Sequence, residues 1–282
     1  MTIDFHTHYF PGKIAAAALE KMSLAANTPP FTDGTAEGLA ASMRQAGVDL
    51  SVNLPVATSP AQVEKVNSAL MAQAEGLLTS GVLTFGCMHP DYAWPRKELR
   101  RLRENGMRGI KLHPAYQRTD IDDISYLRIM GWASEEGLAI VTHAGLDIGI
   151  PGKDWAPVEG ILHVLRQAAP EKLVLAHMGG WACWKEVERS LCGAPAWFDT
   201  AFALGPIALR DPARAPACPE NLGAADFTRL VRKHGAGKVV FGSDSPWERP
   251  ALYRSFIQGT ALDAEEKEAI FHGNAQRLLG LP

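Results

Sequence analysis

The segment LAIVTHAG, residues 138–145, joins a run of mostly apolar residues to a polar residue at its end. Such a run suits a β-strand that is buried on both faces, as strands of parallel sheets are. His143 stands where this strand ends, just before small, turn-forming residues. KLVLAHMGG, residues 172–180, repeats the pattern with His177, and KVVFGSDSPW, residues 238–247, repeats it with Asp244. The chain therefore delivers metal-ligating residue types at the ends of several buried strands.

Eight β-rich segments of this kind alternate with helix-like segments along the chain. The predicted strands are residues 2–6, 48–56, 82–90, 107–114, 138–145, 172–180, 196–202 and 238–247. Alternation of strands and helices predicts right-handed βαβ units and a parallel sheet. Eight such units predict an α/β fold with one (β/α)8 TIM barrel, and residues 1–282 form a single domain of suitable length. The longer loops, residues 146–157 and 204–221, are predicted insertions at the carboxyl-terminal face, where barrels carry their active sites.

Composition indicates which kinds of partner the protein binds and in which cellular compartment it resides. The 282 residues carry a net charge of −3, which gives no reason to expect nucleic acid or an anionic membrane as a partner. We therefore expect a small-molecule substrate. No apolar run approaches the roughly 18 residues that a membrane span needs, and no cleavable signal is expected because strand character begins near Ile3. The four cysteines form no CxxC pair, so we predict free thiols and a cytoplasmic location: Cys87, Cys183, Cys192 and Cys218.

The amino-terminal segment DFHTHYF, residues 4–10, contains two histidines with one residue between them. In a strand, residues i and i+2 point to the same side, so His6 and His8 start roughly 6.6 Å apart and can converge on one ion. Each candidate alone has a plain alternative, since a strand-end histidine is often structural and Asp244 could cap a helix. Together with His143 and His177, the set occupies four strands of one barrel, and it predicts a metal site at the barrel mouth.

These residues, in this order, resemble the amidohydrolase superfamily of metal-dependent (β/α)8-barrel enzymes. GIKLHP (residues 109–114), FGSDSPW (241–247) and HGNAQRLLGL (272–281) are similar to the branch with aminocarboxymuconate-semialdehyde decarboxylase, γ-resorcylate decarboxylase and some lactone hydrolases. The resemblance runs from His6 to Leu281. It specifies the superfamily more closely than the reaction.

The resemblance implies roles for the mouth residues. His6, His8, His143 and Asp244 would bind one metal ion, expected to be Zn²⁺, with Mn²⁺ or a second ion as alternatives. His177 would be catalytic, and Asp244 would also accept a proton from water. Lys111 matches the position of a carboxylated, bridging lysine in two-metal members. Its alternative is a buried lysine that pairs with an acidic group or with a substrate carboxylate.

Several residues near the predicted strand ends are candidates for substrate binding. Aromatic side chains there suit a flat or cyclic molecule, although packing of the loops onto the barrel is the alternative for many of them. An arginine suits a substrate carboxylate. The candidates are Tyr9, Lys111, His113, Trp181, Trp247 and Arg249, followed by Phe10, Arg118, Trp155 and Trp184.

The site chemistry serves two reactions. A zinc ion lowers the pKa of its water from 15.7 to roughly 7, which favours hydrolysis of a small cyclic or carboxylated lactone, amide or ester. Protonation of a ring or alkene carbon on the same scaffold would instead give non-oxidative decarboxylation. A third alternative is a metal-binding barrel without catalysis. The resemblance also implies a homodimer.

Overall fold

Short strands and longer helices alternate along the computed structural model, which describes residues 1–214 and 221–281. The strands are β1 Ile3–Thr7, β2 Leu50–Asn53, β3 Val82–Thr84, β4 Gly86–Cys87, β5 Gly109–Leu112, β6 Ala139–Thr142, β7 Leu173–Leu175, β8 Trp197–Asp199 and β9 Val239–Val240. The α-helices are α1 Gly12–Ala26, α2 Ala36–Ala46, α3 Val63–Thr79, α4 Pro95–Glu104, α5 Pro114–Gln117, α6 Ile124–Glu135, α7 Val158–Gln167, α8 Trp184–Glu186, α9 Ala224–His234, α10 Pro250–Gln258, α11 Ala264–Glu268 and α12 Asn274–Leu279. Short 3₁₀ segments lie at Pro60–Gln62, Pro212–Arg214 and Ala236–Lys238, and π-helical turns at Val187–Leu191 and Ala269–Gly273.

All strand pairs are parallel and follow the order of the chain. One sheet has the order β1-β2-β3 and the other runs from β4 to β9. Phe85 alone separates β3 from β4, and its N–H donates to the Asn53 carbonyl at 3.0 Å. At the other edge, the Phe5 N–H donates to the Phe241 carbonyl at 2.7 Å. These links join the sheets on both sides, as the predicted α/β barrel requires.

The strands are shorter than the sequence predicts. The second runs over Leu50–Asn53 rather than residues 48–56, and the last over Val239–Val240 rather than 238–247. The predicted third strand divides at Phe85. The cause at the carboxyl ends is backbone conformation, since His177 has φ 60° and Asp244 has φ 68°. A left-handed residue cannot continue a strand, so the chain turns out of the sheet where these side chains stand.

Alternation along the strands separates core residues from mouth residues. In β5, Ile110 and Leu112 belong to the larger buried apolar cluster, while Lys111 between them points to the opposite side. A smaller apolar cluster includes Phe5 and Phe85, whose rings meet edge to face at 90° with centroids 5.9 Å apart. Apolar packing thus fixes the strands that carry the polar side chains.

Capping residues mark the ends of some helices. Thr35 caps α2 by accepting from the Gly38 N–H at 3.0 Å, and Gly47 ends that helix with φ 64°, which glycine adopts without strain. Asp263 and Glu266 form a reciprocal capping box at the start of α11. Among the described residues, no helix is long and apolar enough to cross a membrane.

The two predicted insertions differ in how far the structure describes them. Residues 146–157 connect β6 to α7 without a helix or strand. Of residues 204–221, the stretch 215–220 lies outside the described residues, and the predicted free thiol of Cys218 lies there too. The other three cysteines are free thiols: Cys87, Cys183 and Cys192.

Candidate metal centre

His6, His8 and Asp244 come together at the carboxyl end of the strands. The Nε2 atoms of His6 and His8 are 3.2 Å apart, and Asp244 Oδ1 lies 3.4 Å and 3.2 Å from them. Zinc bonds of about 2.0–2.1 Å in a tetrahedron place neighbouring donor atoms roughly 3.3 Å apart. The three atoms therefore have the spacing of one face of such a tetrahedron.

Hydrogen bonds behind the two rings determine which nitrogen faces the group. His6 Nδ1 lies 2.7 Å from Asp199 Oδ2, and His8 Nδ1 lies 2.8 Å from the Leu54 carbonyl. Both partners are acceptors, so each Nδ1 carries the ring proton and each Nε2 presents a lone pair. Burial and the nearby ammonium of Lys111 lower the pKa of His6, which keeps its ring neutral. Two lone pairs 3.2 Å apart are suited to bind one cation together.

His143 and His177 form a second pair with the same arrangement. His143 Nε2 donates to the Leu146 carbonyl at 3.0 Å, and His177 Nδ1 donates to the Ala201 carbonyl at 2.8 Å. Their other ring nitrogens, His143 Nδ1 and His177 Nε2, then face each other as lone pairs 3.0 Å apart. Burial, and the charge that His143 can carry, lower the pKa of His177 to about 3. Both imidazoles are therefore neutral near pH 7.

Of the four predicted metal ligands, the structure brings three together in one group. His6, His8 and Asp244 form a group whose donor atoms all lie within 4.8 Å of one another, and within the described part of the chain His143 does not join it. His143 instead contacts His177, whose ring centroid is 5.4 Å from that of His6. The five predicted mouth residues are thus neighbours, divided into a compact triad and an adjacent histidine pair.

Asp244 is the anionic member of the triad. Burial raises the pKa of its carboxyl group, but the neighbouring imidazoles lower it by more, and the pKa lies well below its usual range. A carboxyl group with so low a pKa stays ionised, as a metal ligand must be. The second predicted role of Asp244, as the acceptor of a proton from water, stays a prediction.

Lys111 lies directly beside the triad. Its side chain is fully buried, and Nζ is 3.2 Å from His6 Nε2. Burial lowers the pKa of Lys111 to about 8, while Asp199 and Asp244 oppose that shift. An amine with this pKa is partly neutral under mildly alkaline conditions, and the neutral form is the one that can react with carbon dioxide. Carboxylation of Lys111 and a second ion stay predictions.

His113 belongs to a second group of potential ligands. His113, His143 and Asp147 place donor atoms within 4.8 Å of one another, with His113 Nε2 3.5 Å from Asp147 Oδ2. The His113 ring stacks between His143, at a centroid distance of 4.5 Å, and Tyr116, at 4.1 Å. The Tyr116 N–H points at His113 Nδ1 over 3.4 Å, which favours the tautomer with the proton on Nε2, directed at Asp147. This group therefore forms a polar wall rather than a second convergent set of lone pairs.

A cavity of about 1000 Å³ opens above these residues. Of the substrate-binding candidates, those that line it are Tyr9, Phe10, Lys111, His113, Trp181 and Trp247. Arg249 lies outside the cavity, because it directly precedes α10 and its exposed guanidinium group stacks on Phe31, with Cζ 4.5 Å from the ring centroid. Arg118 is likewise an exposed helix-end residue. Neither of the two predicted arginines therefore lines the cavity.

Two further tryptophan candidates lie behind or beside the cavity. Trp184 is buried, and its Nε1–H donates to the His177 carbonyl at 3.0 Å, so it supports the histidine from behind. Trp155 stacks with Lys153, whose Nζ is 3.9 Å from the ring centroid. Neither ring lines the cavity.

Asp199, which is not among the predicted site residues, holds two mouth residues in place. Its Oδ2 accepts from His6, and its Oδ1 accepts from the backbone N–H groups of His177 and Ala201 at 2.9 Å and 3.1 Å. A signal was present, because Asp199 follows apolar residues within the seventh predicted strand, residues 196–202, as Asp244 does within the eighth, residues 238–247. Asp147 and Tyr116 were missed as well, and they follow strands without any periodic pattern.

The substitution Asp199→Asn is expected to weaken metal binding. Asparagine keeps one acceptor oxygen, which the backbone N–H groups of His177 and Ala201 occupy, so its NH₂ group faces His6 Nδ1 and cannot accept the proton that fixes the His6 tautomer. Such outer partners typically contribute about 10- to 100-fold in metal affinity. Titration of Zn²⁺ against a competing chelator measures this change. The control is Asp226→Asn, which breaks an exposed ion pair with Arg229 on α9. Equal affinity in both variants and the unaltered protein would contradict the assigned role.

Comparison with known proteins agrees with this geometry. The family model described as "Amidohydrolase" matches residues 3–281. No curated protein matches. Three similar solved structures, all under 20% identical to this chain, share its fold.

The first is an uncharacterised TIM-barrel protein from Bordetella bronchiseptica, with a TM-score of 0.72 and 18% identity. The match covers 99% of this chain and 98% of the other, and coverage is given in that order below. The second is 5-carboxyvanillate decarboxylase LigW from Sphingomonas paucimobilis, with a TM-score of 0.68, 16% identity, and 100% and 99% covered. The third is a putative 2-pyrone-4,6-dicarboxylic acid hydrolase from Pseudomonas putida, with a TM-score of 0.64, 17% identity, and 99% and 97% covered. These similarities confirm the predicted α/β barrel fold.

Proposed function

The chain belongs to the amidohydrolase family, and from this premise we propose that it is a metal-dependent hydrolase of a small-molecule lactone, amide or ester. The family contains enzymes, which include decarboxylases and hydrolases, so the alternative of a barrel without catalysis is set aside. We choose hydrolysis because of the protonation state of His177. Its Nδ1 carries the ring proton, so its Nε2 offers a lone pair towards the site.

The donor set fits a metal ion, and zinc in particular. His6 and His8 present lone pairs through fixed tautomers, and Asp244 adds a carboxylate at the right spacing. A set dominated by imidazole suits zinc better than magnesium or calcium. When bound, such an ion supplies Lewis acidity, which acidifies water and polarises a carbonyl group. The fourth predicted ligand, His143, stays a prediction, and Mn²⁺ or a second ion stays an alternative.

The protein's own groups divide the remaining work. Hydrolysis begins with loss of a proton from the attacking water, and neutral His177 can hold that proton at Nε2. The Ala201 carbonyl accepts the other ring proton and thereby keeps the lone pair directed into the site. The protonated imidazole can then give its proton to the leaving group. The buried, ionised Asp244 stabilises the imidazolium that forms in between.

Decarboxylation would place different demands on the same residues. It requires an acid that delivers a proton to carbon, whereas His177, with a pKa of about 3, has no proton on the nitrogen that faces the site. Its carboxylate would need an anchor, and Lys111 is the buried cation that lines the cavity, where the described part of the chain places no arginine. The state of His177 is therefore the feature that favours hydrolysis.

Non-oxidative decarboxylation is the second candidate, and one observation favours it. Aromatic side chains surround the polar floor, among them Tyr116, Trp181, Phe202 and Trp247, and a flat ring would fit between them. Two of the similar solved structures are decarboxylases of aromatic acids, 5-carboxyvanillate decarboxylase and 2,6-dihydroxybenzoate decarboxylase. The expected homodimer and cytoplasmic location stay predictions, as does the absence of nucleic-acid or membrane partners.

A panel assay separates the two reactions. Purified protein is stripped with a chelator, reloaded with Zn²⁺ or Mn²⁺, and offered lactones, esters and amides beside aromatic and unsaturated carboxylic acids. We expect acid release from the first group, no carbon dioxide from the second, and activity only in the reloaded protein. Carbon dioxide release without hydrolysis would overturn the hydrolase proposal in favour of the lyase. Equal activity in the stripped protein would contradict any role for the metal.

A further inference from the structure

The cavity extends well beyond the polar floor. Its outer part is lined by residues of α1 and α3. The α3 residues that line it recur at intervals of one and three, so that one face of the helix forms the wall: Lys65, Val66, Ala69, Leu70 and Gln73. Opposite them stand α1 residues, including Ile14, Met22 and Ala26. The volume of about 1000 Å³ is at the upper end of the range for small-molecule sites.

This outer wall leaves apolar side chains in contact with water. Ile14 is 52% exposed although it is a large aliphatic residue, and Met22, Val66 and Ile148 are half-buried at the cavity surface. Apolar area that remains wet in the free protein gives a driving force for an apolar ligand that covers it. A compact polar substrate on the floor would leave this wall uncovered.

We propose that the outer cavity binds an aliphatic chain of the substrate. This inference rests on the proposed function and names its substrate class: an amphiphilic ester, amide or lactone whose carbonyl group lies at the floor and whose alkyl or acyl chain lies between α1 and α3. The groove is continuous with the catalytic floor, and this continuity selects the substrate's own chain as the occupant rather than a second protein. The two lysines that line the outer part, Lys13 and Lys65, are exposed and leave the far end open to water.

A series of alkyl hydroxamates tests the proposal by binding, without any need for turnover. The hydroxamate group chelates zinc, and only the chain length varies, from two to ten carbons. Calorimetry on the zinc-loaded protein should show affinity that rises about threefold per added methylene over part of the series. A rise of at least tenfold between the four-carbon and eight-carbon members supports the proposal. Constant affinity from two to ten carbons would overturn it.

Two alanines on α3 provide a matched pair of variants. Ala69 lines the cavity, whereas Ala72 is exposed on the same helix and does not. Ala69→Phe should lower the affinity for the eight-carbon hydroxamate at least tenfold. It should change the affinity for the two-carbon hydroxamate less than twofold. Ala72→Phe should leave both unchanged. Equal effects of the two substitutions would contradict the chain site.

Two further measurements separate this inference from its premise and from another occupant. Asp244→Asn should weaken all hydroxamates by a similar factor and preserve their dependence on chain length. If that dependence persists while no hydrolysis is found, the chain site stands and the proposed reaction fails. If Ala69→Phe alters the molar mass in solution and leaves long-chain binding intact, a second copy of the protein occupies the groove and the proposal is wrong.

Discussion

The substitution Asp244→Asn is expected to lower turnover of any substrate about a thousandfold while the protein stays folded. Asp244 Oδ1 is within 3.4 Å of both Nε2 atoms of His6 and His8, and it supplies the only carboxylate of the triad. A bound metal ion provides several kcal/mol of transition-state stabilisation, and about 4 kcal/mol corresponds to a factor of a thousand. Loss of the anionic donor weakens the binding of the metal ion. It also removes the negative charge that stabilises the protonated His177.

The choice of asparagine controls for backbone strain. Asp244 has φ 68°, a conformation that asparagine tolerates well and alanine does not. Asp244→Ala should therefore be as inactive as Asp244→Asn but unfold at a lower temperature. Zinc content, turnover and thermal unfolding by circular dichroism check the three expectations separately. Full activity in Asp244→Asn, with normal metal content, would refute the role of this residue.

The mouth residues were predictable because their positions depend on local periodicity. His6 and His8 alternate with Thr7, and alternation in a strand alone requires both imidazoles to point to one side. The structure places their Nε2 atoms 3.2 Å apart. The residues at the ends of apolar runs, His143, His177 and Asp244, also gather at one end of the strands, because parallel strands share their carboxyl edge.

The detailed pairing was not predictable, because it depends on contacts distant in sequence. His143 pairs with His177 instead of completing the triad, since its ring is oriented by the Leu146 carbonyl in an aperiodic loop. Asp147 enters from the same loop. Arg249 seemed suited to bind substrate because it follows the eighth strand, but the turn that precedes α10 directs its side chain to Phe31 instead. Turn geometry leaves no periodic trace in a sequence.

Asp199 was predictable in part, because its position at the end of a strand was visible in the sequence but its partners were not. It is the only polar residue within the short strand Trp197–Asp199, and a strand-end carboxylate was a sufficient reason to nominate it. Its role became visible only through its partners, since the carboxylate joins the His6 ring to the backbone of His177, two residues 171 positions apart in the chain (177 − 6). Because Asp199 faces ring and backbone N–H groups instead of the cavity, it orients the site without contacting substrate.

His177→Asn is expected to retain bound metal and lose turnover by about 10²- to 10⁴-fold, the usual contribution of a positioned acid–base group. His177 is not a member of the compact triad, so its removal leaves the donors of His6, His8 and Asp244 in place. Its Nε2 carries the free lone pair of the ring, because Nδ1 donates its proton to the Ala201 carbonyl at 2.8 Å, and this lone pair is the group that can take a proton from water. Asparagine also accepts the left-handed backbone at this position, where φ is 60°.

Metal content and kinetics together distinguish the roles that His177 could have. A catalytic base should show its loss in kcat, with zinc stoichiometry unchanged, whereas a primary ligand should lose the ion. His234→Asn is the matched control, because His234 is also a buried histidine with a lowered pKa but stacks on Phe198, with centroids 3.7 Å apart, outside the cavity. That control should keep its activity. Complete metal loss in His177→Asn would instead move His177 into the ligand set, and the lone pair that faces His143 Nδ1 at 3.0 Å would then be one half of a second metal position.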